Sequence, residues 1–251
     1  MSCVRIGREP VIQTWEQTRT PLIIDIHTHT YPTSVDSFID ADELIEEAKR
    51  LGLDGVCITD HDGFWDHREV EDLSKRHNFL VLPGCEVTTE EGHVLVYGLR
   101  RYIFGMHRAG FVKDKLDREN GAMVVAHPYR RTYRKEADVN SEAYREMLER
   151  ASRNDVFDMV NAVELLNGRG LPEENAFSHD LADWFGLPGT GASDAHRLED
   201  VGTYATEFER RITCLDDLIV ELQAGRHKPV ILDRGREPQR RIQFEMSAAA
   251  G

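Results

Sequence analysis

The 251-residue sequence holds no apolar run approaching the roughly 18 residues that a membrane-crossing helix needs. Its first 21 residues are broken by Arg5, Arg8, Glu9 and Glu16, where a signal peptide would carry an uninterrupted apolar stretch. The expectation is a cytoplasmic protein with no membrane partner. Cysteine is scarce and scattered: Cys3, Cys57, Cys85 and Cys214 form no C-x-x-C pair, which argues against a disulfide framework and against a zinc ribbon. Cys57 and Cys85 are expected to pack reduced at strand ends. Positive charge is also short, with 31 Lys and Arg against 45 Asp and Glu and a formal net charge of −14. Such a chain is poorly suited to grip long nucleic acid, whose affinity comes mainly from cationic side chains on phosphates. Small anions are not excluded, because bound metal ions add local positive charge that a residue count omits. There is no internal repeat, low-complexity block or convincing linker, so one domain is expected.

What is present is enough apolar residue, 40%, for a core, and 30% charged residues, as in a soluble globular protein. Short apolar runs alternate with helical patterns. Leu22-Ile23-Ile24 reads as a strand. Asp40 with Glu43 reads as a capping-box start to a helix that Gly52 stops. Strand signals recur near 55–59, 79–82, 93–97, 122–126, 159–166, 187–192 and 229–232, with helices between most of them and a last helix begun by Thr213 with Asp216. This alternation predicts βα units in a mostly parallel sheet, closed or nearly closed as a barrel over residues 21–232. Residues 1–20 read as an N-terminal extension and 233–251 as a flexible C-terminal tail.

The chemistry-bearing residues sit at the ends of those strands. Asp25-Ile26-His27-Thr28-His29 closes the first strand, and two histidines two apart on a strand point the same way. Asp60-His61-Asp62, Glu86, His127-Pro128 and Ser193-Asp194-Ala195-His196 end later strands. In a parallel barrel these ends open on one face, where active sites of such folds are built. His27, His29, His61, His127 and His196 with His93, and Glu86 and Asp194 with Asp36, make six histidines and three carboxylates, donors that suit Zn, Mn or Fe without any thiolate. His67, His77, His107, His179 and His227 fall in predicted helices or turns and read as surface residues.

These motifs, His27-x-His29, Thr59-Asp60-His61-Asp62, Glu86, His93, Ala126-His127-Pro128 and Ser193-Asp194-Ala195-His196, resemble those of the PHP (polymerase and histidinol phosphatase) metallophosphoesterases. The resemblance covers roughly residues 22–232. It implies a distorted (β/α)7 TIM-like barrel holding two or three divalent transition metal ions. Carried over by motif, it implies one ion on His27, His29, Glu86 and Asp194, a second on Asp36, His61 and His196, and a third on His93 and His127 with Glu86 shared. Asp60, Asp62 and Glu164 are expected to support the ligands rather than join them.

The expected activity is hydrolysis of a small phosphate ester, a phosphorylated metabolite or nucleotide, by a metal-bridging hydroxide; no protein nucleophile is needed. Arg130, Arg131, Arg134 or Lys135 after His127, Arg169 after the Asn167-Gly168 turn and Arg197 after His196 are candidates to hold phosphate oxygens, and Arg130 and Arg197 are chosen because each is near a proposed ligand in sequence. His93 and His127 are only 34 residues apart, which leaves no room for a substrate-capping insertion between them and favours a small or exposed substrate. An amidohydrolase-type C–N hydrolase is the alternative enzyme, although no lysine at a strand end offers a carbamylated bridge. A noncatalytic metal-binding module of the same fold is the alternative outside enzymes. The sequence is silent on oligomeric state.

Overall fold

The structure is a computed structural model that describes residues 21–135, 137–139, 141–232 and 241–242. The expected extension 1–20 lies outside the described residues. So does the expected tail, except Arg241 and Ile242. In chain order the elements are β1 (Leu22–Thr28), α1 (Ala41–Arg50), β2 (Gly55–Ile58), α2 (His67–His77), β3 (Leu80–Pro83), β4 (Cys85–Thr89), β5 (Gly92–Tyr97), α3 (Ala109–Glu119), β6 (Ala122–Val125), α4 (Glu142–Ala151), β7 (Ala162–Asn167), α5 (Pro172–Phe185), β8 (Gly189–Ala192), β9 (Tyr204–Phe208), α6 (Leu215–Gln223), β10 (His227–Leu232) and β11 (Arg241–Ile242).

The expected closed barrel is not formed. The strands make two sheets, β11-β10-β9-β1-β2-β3 and β4-β5-β6-β7-β8, both mixed in direction. Two local features break the parallel βα pattern that a (β/α)7 TIM-like barrel requires. Glu90 and Glu91 are the only residues between β4 and β5, and so short a connection permits only an antiparallel pair. Tyr204-Ala205-Thr206-Glu207-Phe208, which carries no clear strand signal in sequence, forms β9 and pairs antiparallel with both β1 and β10. The ladder is interrupted between β3 and β4 and between β8 and β1. Among the described residues isolated bridges mark those seams, His61 with Glu86 and Thr28 with Ala195, and both fall at the ends that carry the histidines.

The core explains why β1 is apolar on both faces. Ile24 and Ile26 pack between the sheets with Cys57, Leu95, Tyr97 and Phe208, while Ile23 packs with Leu44, Ile45, Val70 and Leu73 of α1 and α2. A third cluster buries Val112, Leu116, Met147, Phe177 and Leu181 of α3, α4 and α5 on the outer face of the five-stranded sheet. Helix starts follow local chemistry. Asp40 caps α1 with the expected box, and Asp66 caps α2. At α6 the pairing differs from expectation: Thr213 donates to Asp217 rather than Asp216, through its backbone N–H at 2.9 Å and its hydroxyl at 2.6 Å. Cys57 and Cys85 are buried free thiols, as expected. No described helix is long and apolar enough to cross a membrane.

Candidate metal centre

His27 and His29 leave β1 on the same side, and their Nε2 atoms approach to 3.0 Å. Each ring is fixed from behind. His27 Nδ1 lies 2.9 Å from Glu164 Oε1 on β7, and His29 Nδ1 lies 3.2 Å from the Ser34 hydroxyl. Backbone bonds then lock the neighbouring motif onto the same edge: Asp194 N–H donates to His27 O at 2.8 Å, and His29 N–H donates to Ala195 O at 3.0 Å. His127 and Asp194 both adopt positive φ, 28° and 54°. Such backbone costs about 1–3 kcal/mol for a residue with a side chain and is typical of functional turns. Here it sets both side chains just past β6 and β8. His93 reaches the same place from the start of its strand, because β5 runs antiparallel to β6.

Glu86 is the hub. Its Oε1 lies 2.8 Å from both His93 Nδ1 and His127 Nε2. Its Oε2 lies 2.8 Å from His61 Nδ1, 3.3 Å from His29 Nε2 and 3.4 Å from His27 Nε2. Asp194 Oδ1 lies 3.2 Å from His29 Nε2 and 3.6 Å from His27 Nε2. Glu86 Oε2 and Asp194 Oδ1 are both buried, and neither has a hydrogen-bond partner among the described residues. Nitrogen and oxygen lone pairs therefore converge without hydrogen-bond directionality, an arrangement that a cation among them would satisfy. Four groups of donors meet within 4.8 Å: His27, His29, Glu86 and Asp194; His29, His61 and His196; His61, Glu86 and His93; and His27, His127 and Glu164. The cluster could hold several metal ions. Asp36, whose side chain is half exposed, covers the outer side with Oδ2 at 3.2 Å from His196 Nε2 and 3.5 Å from His61 Nε2.

Electrostatics in the cluster follow from burial set against charge. Burial alone drives His27 toward its neutral form, yet the charges of Glu164, Asp194 and Glu86 overcome it and hold the imidazole well above the usual histidine value. For His29 burial wins, and its value falls to about 4. Burial would raise Glu86 and Asp194, but neighbouring imidazoles, His27 foremost, hold both well below the usual carboxylate range. Asp25, immediately behind, is pushed up to about 6 by burial despite accepting from the Ser193, His27 and Gly202 amides.

The supporting acids divide as their chemistry demands. Asp60 accepts from the Thr30 and Ser34 hydroxyls at 2.6 and 2.7 Å and from Trp65 Nε1 at 2.7 Å, so it organises the loop after β1. Asp62 accepts from the Thr88 amide at 3.0 Å. Glu164 does more: besides orienting His27, its Oε2 accepts from the His127 amide and from Asn167 Nδ2, both at 2.9 Å. Asn167 Nδ2 also reaches Asp194 Oδ2 at 3.1 Å, which makes Asn167 a link between carboxylates that sequence reasoning placed only in a turn. The turn must be tight. Gly168 follows, and a Cβ there would lie 2.4 Å from Ser193 O. Glu164→Gln is expected to lower metal affinity by about 10- to 100-fold, the usual effect of losing a partner that orients a ligating imidazole. Metal titration checks this; unchanged affinity would remove Glu164 from the role.

Two of the arginines reach the cluster. Arg130, on the turn after His127, donates to Asp194 Oδ2, and Arg169 places Nη1 3.1 Å from both ring nitrogens of His196. Arg197 is turned elsewhere: its guanidinium lies over the Phe38 ring, 4.9 Å from the centroid. In sequence Arg169 is one candidate among several, and its position after a turn gives no reason to prefer it. Of the histidines read as surface residues, His227 is buried, with Nδ1 3.0 Å from Gly189 O.

A family description of the PHP domain matches residues 25–184, more than half of the chain, and one of a PHP-associated region matches residues 172–227. The chain belongs to the PHP family. Members of the PHP family are generally metal-dependent hydrolases, and the family is one of metal-dependent phosphoesterases. A protein of Thermotoga maritima named "Probable histidinol-phosphatase" is 26% identical over 219 residues, covering 76% of this chain and 91% of that protein. An error-prone DNA polymerase of Nocardia farcinica is 33% identical over 64 residues, 26% of this chain and only 6% of the polymerase. Among solved structures, a two-domain protein of Bacteroides vulgatus containing a predicted PHP-like metal-dependent phosphoesterase shares the fold, with TM-score 0.57 and 17% identity over 85% of this chain and 65% of that one.

Proposed function

We propose that the protein hydrolyses a small phosphate ester with two or three divalent ions, of Zn, Mn or Fe, held by the strand-end cluster. The observation that carries this reading is the pair of buried, hydrogen-bond-orphaned carboxylate oxygens on Glu86 and Asp194 facing inward-turned imidazoles. His27, His29, Glu86 and Asp194 would hold one ion; Asp36, His61 and His196 a second; His93 and His127, sharing Glu86, a third. Glu86 is suited to the shared role because its two oxygens already face different groups of histidines. When bound, the ions supply Lewis acidity that activates water and neutralises charge on the phosphoryl group.

The chain's own residues do the rest. Arg130 and Arg169, beside Asp194 and His196, have N–H groups left to hold phosphate oxygens in a forked arrangement. Glu164 fixes the His27 imidazole and Asn167 holds Asp194, so that these donors do not reorganise as charge develops. Between His93 and His127 the chain forms only β5, α3, β6 and their connections, which supports a small or exposed substrate over an enclosed one.

Purified protein is expected to carry two or more equivalents of transition metal by elemental analysis. It is also expected to release phosphate from simple monoesters while leaving cyclic amides intact. Metal-free protein that is folded and fully active would sink the reading; turnover of the amides alone would transfer it to C–N hydrolysis.

A further inference from the structure

The loop between β1 and α1 combines two properties that seldom coincide: its backbone is tied down, and its large apolar side chains face solvent. Tyr31 N–H donates to Ile39 O and Ser34 N–H to Thr30 O, both at 2.8 Å. The Ser37 hydroxyl donates to His29 O at 2.8 Å, and Phe38 N–H donates to His196 O at 2.9 Å. Two of these bonds end on carbonyls of proposed ligands, so the loop is registered against the metal centre itself. Yet Tyr31 is 59%, Phe38 71% and Val35 87% exposed. Single exposed apolar residues are ordinary, whereas several grouped beside a polar site mark a surface that meets something. Asp36, set between Val35 and Phe38 in the chain, is the residue that covers His61 and His196.

Phe38 is also backed. The Arg197 guanidinium lies over its ring at 4.9 Å, a cation–π contact on one side of a ring that is otherwise mostly open. Burial does not account for this pair, and neither does a fold contact, since Phe38 belongs to none of the core clusters. A rigid, backed and exposed aromatic ring two residues from a proposed ligand has the form of a stacking surface.

We propose that Phe38, supported by Arg197, is a specificity-determining platform on which a flat aromatic ring in the alcohol half of the ester stacks while its phosphoryl group sits at the metal centre. This rests on the phosphoesterase reading for the placement of the phosphoryl group. Arg197 thereby acts on the leaving group rather than on the phosphate.

The test is equilibrium binding of two non-hydrolysable probes, phenylphosphonate and methylphosphonate, to the metal-bearing protein by calorimetry. Phenylphosphonate is expected to bind about tenfold more tightly, the lower end of what stacking a ring on an aromatic side chain gives. In Phe38→Ala the ratio of the two affinities should fall toward one, and in Phe38→Trp it should be kept or increased. Because Phe38 is exposed, neither variant removes core packing, and thermal unfolding confirms that each is folded. Equal affinities in the parent protein, or an undiminished ratio in Phe38→Ala, overturn the platform. A protein that shows the ratio but turns over no ester keeps the platform and loses the phosphoesterase reading. One that turns over esters with a ratio of one does the reverse.

Discussion

Glu86→Gln is expected to lower ester turnover by on the order of a hundredfold or more while leaving the protein folded. Removing a partner that merely orients a ligand costs about 10- to 100-fold, and Glu86 touches the donors directly, so that range is a lower bound. The substitution keeps side-chain volume at a fully buried position and therefore creates no cavity. What it removes is one negative charge facing five imidazoles, those of His27, His29, His61, His93 and His127. It also turns one acceptor oxygen into an amide that donates, so lone pairs no longer converge from both sides. Elemental analysis should show the loss of at least one metal equivalent, and circular dichroism an unchanged fold. Glu90→Gln, on the β4–β5 turn, serves as the surface control and should behave as the parent does. Parental metal content and turnover in the Glu86 variant would dismantle the shared-carboxylate arrangement.

Stripping the protein with a chelator should abolish turnover, and restoring divalent ions should recover it with a pH dependence set by the cluster. Without ions, burial pushes His27 toward neutrality but Glu164, Asp194 and Glu86 hold it well above the usual value, which favours the protonated ring. An ion needs that ring neutral, so loading expels the proton, and metal affinity should rise with pH by about tenfold per unit for each proton released. Linkage gives the matching stability signs. The raised value of His27 contributes stability that is complete below the ordinary histidine value and is lost as pH rises through the folded value. Glu86 and Asp194, held well below the carboxylate range, contribute stability that is complete above their ordinary values and is lost as pH falls through the folded ones. The melting temperature of loaded over ion-free protein should thus gain more at pH 8 than at pH 6. Metal affinity that is flat between those pH values would contradict proton displacement.

How much of this was legible in the chain depends on the range of the interaction concerned. The capping box at Asp40 and Glu43, the stop at Gly52 and the strand at β6 follow from residues a few positions apart, and the structure reproduces them. Helix α3 begins at Ala109, after turns over the residues that follow β5. β9 was missed because Tyr-Ala-Thr-Glu-Phe is too short and mixed to show periodicity; its strand state comes from two neighbours distant in sequence, β1 and β10. The barrel expectation failed for a related reason. Alternating strands and helices specify layers, while strand direction and closure are settled by connection length at β4–β5 and by which edges meet.

The centre divides along the same line. The chain alone determined the donor inventory, His27, His29, His61, Glu86, His93, His127, Asp194 and His196 at strand boundaries, because ligand chemistry is a property of residue type and strand ends are a local signal. Tertiary structure decided that Glu86 is the hub, that Glu164 and Asn167 tie His27 to Asp194, and that Arg169 rather than Arg197 reaches the cluster. Those are facts of distance between residues far apart in sequence, fixed where the two sheets meet, at the His61–Glu86 and Thr28–Ala195 bridges and the side-chain bonds around them. No periodicity encodes such seams; packing of the whole chain does.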